Sequence, residues 1–195
     1  MNKERFEWIH SWCDYTERTD LPRVLLIGDS ITHGYQTKVR ELLAEQYLVD
    51  YIATSYSVDS IFYNQLIAAF AADSKYDVIH FNHGLHGGHM STEVYASGMD
   101  ALTASLTKIG KVILVTSTRT YNPGTDTPTA FHDKVLERNA ALLPLAEKYG
   151  CAVNDLYAVS AGLPISAYSP DGTHFAAEGY DALAKAVADA VLHLK

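Results

Sequence analysis

Five short apolar runs recur along the chain, at residues 23–27, 47–53, 77–81, 111–116 and 151–154. Each is about one strand long, and the central ones carry apolar residues at consecutive positions instead of alternating. That is the pattern of parallel strands covered on both faces. Between them lie longer stretches whose apolar residues recur at three- and four-residue steps. These are 37–45 with Val39, Leu42 and Leu43; 59–72 with Ile61, Phe62, Leu66, Ile67 and Phe70; and 92–109 with Val94, Met99, Leu102, Leu106 and Ile109. Two more follow, 129–149 with Val135, Leu136, Leu142, Leu143 and Leu145, and 176–194. This spacing predicts helices. Gly150 is placed to stop the fourth, and Pro144 is expected to kink it. Residues 3–17 carry Trp8, Ile9 and Trp12 at helical spacing and predict an N-terminal helix packed on the body of the domain. A contact between two copies of the chain, making a homo-oligomer, is the alternative use of the two tryptophans.

The order βαβαβαβαβα predicts an α/β protein, a three-layer α/β/α sandwich around a doubly wound, five-stranded parallel sheet. No repeat, low-complexity tract or linker interrupts it, so residues 1–195 are read as one domain. In such sheets ligands bind beyond the carboxyl ends of the strands. The polar residues that end the runs, Gly28-Asp29-Ser30, 55–57, 82–86 and 117–119, are therefore expected on one rim.

Composition narrows the partners. Fifteen basic against 23 acidic residues leave a formal charge of −8, which argues against nucleic acid. Cys13 and Cys151 sit in no metal-binding or disulfide pattern. The first residues lack the apolar stretch of a signal peptide, and no run approaches the ~20 apolar residues that span a bilayer. A soluble, cytoplasmic protein with no membrane partner is expected.

Two rim segments suggest chemistry. In "LLIGDSIT", residues 25–32, a buried strand runs into Gly-Asp-Ser; in "SPDGTHF", residues 169–175, an aspartate and a histidine stand three apart around a glycine turn. A serine hydroxyl becomes a nucleophile when an imidazole takes its proton and a carboxylate holds the other ring nitrogen. Asp171 and His174 are spaced to form that carboxylate–imidazole pair, with Ser30 as its nucleophile.

These two blocks resemble those of the SGNH hydrolases, the GDSL-type esterases and lipases. They do not resemble a Gly-x-Ser-x-Gly elbow, because position 32 is threonine. The resemblance covers about residues 23–190 and implies a flavodoxin-like sandwich. It also implies Ser30 as nucleophile with Asp171 and His174 as its partners, and it implies no cofactor. A serine esterase acting on short acyl esters is the expected activity, acetylated carbohydrate the expected small-molecule substrate. A lysophospholipase or acyl-thioesterase, or a catalytically silent glycan-binding relative, is the alternative.

The resemblance also implies an oxyanion hole of three donors: the backbone N–H of Ser30, a backbone N–H in a second block, and a side chain in a third. The second-block glycine is replaced by Ser55, and the third block reads "GLHG", placing His86 where the family has asparagine. Asn82 is the rival side-chain donor. His80, His83, His86 and His89 stand three apart, but a strand running into a loop does not make that period converge, so no metal is expected. Asp29, Arg119, Tyr121 and Tyr56 are the expected substrate contacts. Tyr35 and Tyr168 are further aromatic candidates for the rim.

Overall fold

The computed structural model describes residues 3–194. Its strands are β1 (Ile9–Trp12), β2 (Arg23–Gly28), β3 (Leu48–Thr54), β4 (Val78–Phe81), β5 (Lys111–Val115) and β6 (Ala152–Asn154). Its helices are α1 (Ser30–Leu43), α2 (Ile61–Ala72), α3 (Thr92–Leu106), α4 (His132–Tyr149), α5 (Leu156–Ala161) and α6 (Ala177–Leu192), with a 3-10 turn at Ile165–Ala167. The strands form one six-stranded sheet in the order β1-β3-β2-β4-β5-β6. Every pairing is parallel except β1 with β3.

The unbroken apolar runs follow from the two covered faces. Val24 and Leu26 of β2 point into one core with Val39, Leu183 and Val187 of α1 and α6. Leu25 and Ile27 point into the other, with Tyr63, Met99 and Leu142 of α2, α3 and α4. Both faces of β2 are buried, so alternation has no role there. Gly150, at φ 65°, ends α4 in the left-handed conformation. Pro144 sits inside α4 without dividing it. The carbonyl that loses its donor belongs to Ala140, an exposed residue that water can serve.

The N-terminal segment corrects two expectations. Residues 9–12 are an antiparallel edge strand, not part of a helix, and the sheet has six strands, not five. A four-residue separation puts Trp8 and Trp12 on one side of a helix, but equally on one side of a strand. What decides is the open edge of β3, whose backbone groups β1 pairs from Ile9↔Thr54 to Trp12↔Tyr51. Trp12 then lies under the Arg40 guanidinium of α1 at 5.0 Å.

Strand order reverses between β2 and β4: β3 lies on one side of β2, and β4 and β5 lie on the other. The crevice of a doubly wound sheet opens at that switch point, beyond the strands' carboxyl ends. The residues that follow Gly28 and Phe81 border it.

Candidate active site

Gly28, Asp29 and Ser30 each have a separate physical task. A Cβ on Gly28 would come within 2.0 Å of Thr32 Oγ1, so only glycine lets the first turn of α1 fold back on β2. Asp29 is the N-cap, its side chain accepting from the Ile31 N–H at 2.9 Å. Ser30 is the first helical residue, half-buried, and its backbone N–H is one of the donors a helix start leaves without an internal partner.

The Ser30 hydroxyl lies 2.8 Å from His174 Nε2, and His174 Nδ1 lies 2.6 Å from Asp171 Oδ2. A carboxylate only accepts, so Nδ1–H donates to Asp171 and Nε2 is free to accept from the serine. The loop around the pair is closely tied. Asp171 Oδ1 accepts from the Ser169 hydroxyl at 2.7 Å and from the N–H groups of Thr173 and His174 at 2.9 Å. Burial would raise the Asp171 pKa, but the His174 ring and these donors hold it well below the ordinary carboxylate range. Gly172 turns the loop at φ 72°, and its carbonyl accepts from the Tyr121 N–H at 2.8 Å.

The expected oxyanion donors separate. The Ser55 N–H is already bonded to the Trp8 carbonyl at 3.3 Å, because the β1–β3 ladder runs one residue past the strand. Its hydroxyl donates to Glu7 at 2.7 Å and accepts from the Trp8 N–H at 2.9 Å. This corrects the assignment of Ser55. Asn82 is corrected likewise: its amide is buried and donates to the Val115 carbonyl at 2.9 Å and the Ser117 hydroxyl at 3.4 Å, tying β4 to β5. His86 differs. Its Nδ1 lies 3.0 and 3.1 Å from the two Glu4 carboxylate oxygens, and Nε2 has no protein partner among the described residues.

The expected substrate residues fare unevenly. Asp29 has no exposed surface, so it caps α1 and touches no ligand. Tyr121 is also buried, edge-on to Tyr168 at 4.8 Å, and supports the 171–174 loop through its backbone. Tyr168 and Tyr35 are buried too, and Tyr35 shares a hydrogen bond with Thr32 at 2.9 Å. Arg119 remains half-buried, its guanidinium 4.9 Å from the Tyr121 ring. Tyr56 is half-buried against Phe62 at 4.7 Å, on the α2 side of the sheet.

The four histidines go to four places. His80 accepts from Asn154 at 3.1 Å; His83 packs on Tyr63 at 4.8 Å; His86 meets Glu4; His89 meets Asp59 at 2.9 Å. Among the described residues, no three His, Cys, Asp or Glu side chains converge on one point.

Sequence reasoning missed Arg138. It is fully buried, and its guanidinium donates to the carbonyls of Gly84 at 2.9 Å, His86 at 2.7 Å and Gly87 at 2.7 Å. Beside it Asn139 clasps the backbone of Ser117 at 2.7 and 2.9 Å. The signal was present: Arg138 and Asn139 interrupt the apolar stripe of α4 between Val135 and Leu142. A charge on a buried stripe announces a buried polar network. Glu4 and Glu7 were missed as well, because nothing in their own segment points to residues 55 and 86.

Comparison with known proteins gives the family and the fold. The sequence model of the GDSL-like lipase/acylhydrolase family matches residues 26–182. No curated protein matches the sequence. Among solved structures, a carbohydrate acetylesterase from Sinorhizobium meliloti is similar at a TM-score of 0.70 and 17% identity, over 89% of this chain and 100% of that one. An acetyl xylan esterase is similar at 0.70 and 19%, over 87% and 99%. A member of the lipolytic G-D-S-L family from Veillonella parvula is similar at 0.69 and 20%, over 88% and 99%. At such identities these likenesses establish a common fold.

Proposed function

The chain belongs to the GDSL-like lipase/acylhydrolase family, and on that premise we propose that it hydrolyses short-chain acyl esters, acetyl esters of carbohydrates above all. The observation that carries the reading is the continuous hydrogen-bonded chain Ser30 Oγ–His174 Nε2–His174 Nδ1–Asp171 Oδ2, at 2.8 and 2.6 Å. His174 takes the Ser30 proton as Oγ attacks the ester carbonyl, then passes it to the leaving alkoxide as the tetrahedral intermediate collapses to an acyl-serine. Water follows the same path. His174 removes its proton, the acid leaves, and the proton returns to Ser30. Asp171 keeps the ring oriented and stabilises its charged form in both halves.

The Ser30 N–H and the ring of His86 are the donors that answer the developing oxyanion. The preference for short acyl groups is supported by the polar loop at residues 117–129 on the rim, which offers no extended apolar surface to a long chain. The carbohydrate alcohol is supported by analogy with the acetylesterases that share the fold.

An acyl-length series of p-nitrophenyl esters, followed by a panel of acetylated sugars, tests the proposal. Acetyl and propionyl esters should turn over fastest, and at least one acetylated sugar should release acetate. A maximum at eight carbons or beyond would replace this reading with a lysophospholipase or thioesterase. Absence of turnover, together with no labelling of Ser30 by a fluorophosphonate, would leave a glycan-binding protein.

A further inference from the structure

We propose that Glu4 is a positioning residue of this active site: it holds His86 as an imidazolium, so that a cationic Nε2–H faces the oxyanion where the family resemblance implies a neutral amide. The inference rests on the hydrolytic reading above and adds to it a residue from outside the span matched by the family.

A neutral imidazole carries one N–H. Both oxygens of the Glu4 carboxylate approach His86 Nδ1, at 3.0 and 3.1 Å, and a carboxylate can only accept. The proton must therefore sit on Nδ1. A neutral His86 would then present a lone pair at Nε2 and repel an oxyanion. Donation from Nε2 requires the second proton, and the partner that stabilises it is the same carboxylate.

The rest of the neighbourhood is built to hold that ion pair in place. Glu4 Oε1 also accepts from the Gly87 N–H at 3.1 Å. The Glu4 N–H donates to Glu7 at 2.9 Å, and Glu7 accepts from the Ser55 hydroxyl at 2.7 Å. The carbonyl of His86 is fixed by Arg138 at 2.7 Å, and Trp8 stands edge-on to the ring at 6.0 Å. The antiparallel pairing of β1 thus delivers Glu4 to the loop after β4.

The charges facing the ring are mixed but favour its protonation. Glu4 and Glu7 approach from the N-terminal segment and Asp29 from the end of β2. His83, on the same loop, is buried beneath at 6.2 Å, and burial and neighbouring positive charge keep it neutral. Arg138, from α4, engages the backbone of the loop. His89 adds its influence on Glu4 from beyond Gly87, while itself paired with Asp59. Burial would lower the His86 pKa, but the Glu4 hydrogen bond and the charges of Asp29, Glu4 and Glu7 outweigh it and raise it. The Glu4 carboxyl shifts the other way, the direction expected of its partner.

The consequence is an alkaline limb. The donor is present below the His86 pKa and is lost as pH rises through it. The test compares pH profiles of kcat/KM for p-nitrophenyl acetate in wild type, Glu4→Gln, His86→Asn and the double variant, with the His86 ring followed by 15N NMR. Glu4→Gln should move the alkaline limb and the His86 titration together toward lower pH, by about one unit. Above both midpoints kcat should fall about tenfold, with KM and melting temperature unchanged. His86→Asn should lack that limb, and Glu4→Gln should add nothing in its background.

An unshifted limb and an unshifted His86 titration in Glu4→Gln would overturn the proposal. So would an equal loss from Glu4→Gln in the His86→Asn background, which would mark a merely structural role. Failure of the hydrolytic reading is seen separately, as full turnover in Ser30→Ala or no turnover in the wild type.

Discussion

Replacing Arg138 with methionine removes the guanidinium that holds the loop after β4 while keeping most of the side-chain volume. Three bonds are lost, to the carbonyls of Gly84, His86 and Gly87, at 2.9, 2.7 and 2.7 Å. A hydrogen bond to a charged group contributes about 1.5–3 kcal/mol net, so their sum sets an upper limit near 4.5–9 kcal/mol. Two effects reduce it. No carboxylate lies within salt-bridge distance of Arg138 among the described residues, so the variant also escapes the cost of a buried unpaired charge. The aromatic faces of Tyr95 and Phe131, at 5.0 and 5.3 Å, still pack on an apolar chain.

A loss of about 3 kcal/mol is expected, since the three carbonyls are only partly re-solvated. That corresponds to a fall in melting temperature of about 6–12 °C for a chain of this size. Arg138→Lys should not rescue it, because an ammonium keeps the charge but cannot fork across three acceptors. Thermal unfolding by circular dichroism measures the stability, and kcat well below the transition measures the loop, which should cost about tenfold or more as His86 drifts. A melting temperature within 1 °C of wild type with unchanged kcat would refute the claim that Arg138 holds this loop.

Other consequences are as direct. His80 and His83 are buried, and burial lowers both pKa values, that of His80 to about 3. The unfolded chain therefore binds protons the native state refuses. Stability is full above pH 6.5 and falls as pH drops from there toward 3, by up to about 1.4 kcal/mol per pH unit for each histidine. Denaturant titrations at pH 7 and 5 should show this, and His83→Leu should reduce the slope; an equal slope would dismiss His83 as a source. Asp50 is buried and accepts from Arg23 at 2.7 Å, Asp14 N–H at 2.8 Å and Tyr76 at 2.9 Å, so Asp50→Ala should cost about 3–5 kcal/mol. A loss below 1 kcal/mol in denaturant titration would contradict that network. Gly172→Ala places a Cβ 2.2 Å from the Tyr121 carbonyl and forces an L residue to φ 72°, so esterase turnover should fall while the far sheet stays folded. Wild-type turnover in that variant would show that the 171–174 loop tolerates displacement.

What could be read from the chain was local. Gly28, Asp29 and Ser30 are adjacent, and Asp171 and His174 share one tight turn, so short motifs at strand and helix ends announce both. Their meeting across 144 residues depends on the sheet order alone. The central parallel strands β2, β3 and β4 were legible because both faces of each are buried. The N-terminal strand was not, because a separation of four residues fits a helix and a strand equally. The fates of Ser55, Asn82 and Asp29 were illegible for another reason: each has the right chemistry, but a nearer backbone group consumes it. Arg138 and Glu4 act on a loop 51 to 83 residues away, and no periodicity carries that information.

Ser30 is proposed as the nucleophile, activated by His174 and Asp171. Steady-state hydrolysis of p-nitrophenyl acetate by Ser30→Ala tests it most directly, with circular dichroism confirming an unchanged fold. The half-buried site at the start of α1 should tolerate the loss of one oxygen. A fall in kcat of about 10⁴-fold or more is expected, the scale on which loss of a triad member acts. Retention of even about a tenth of wild-type turnover would contradict it.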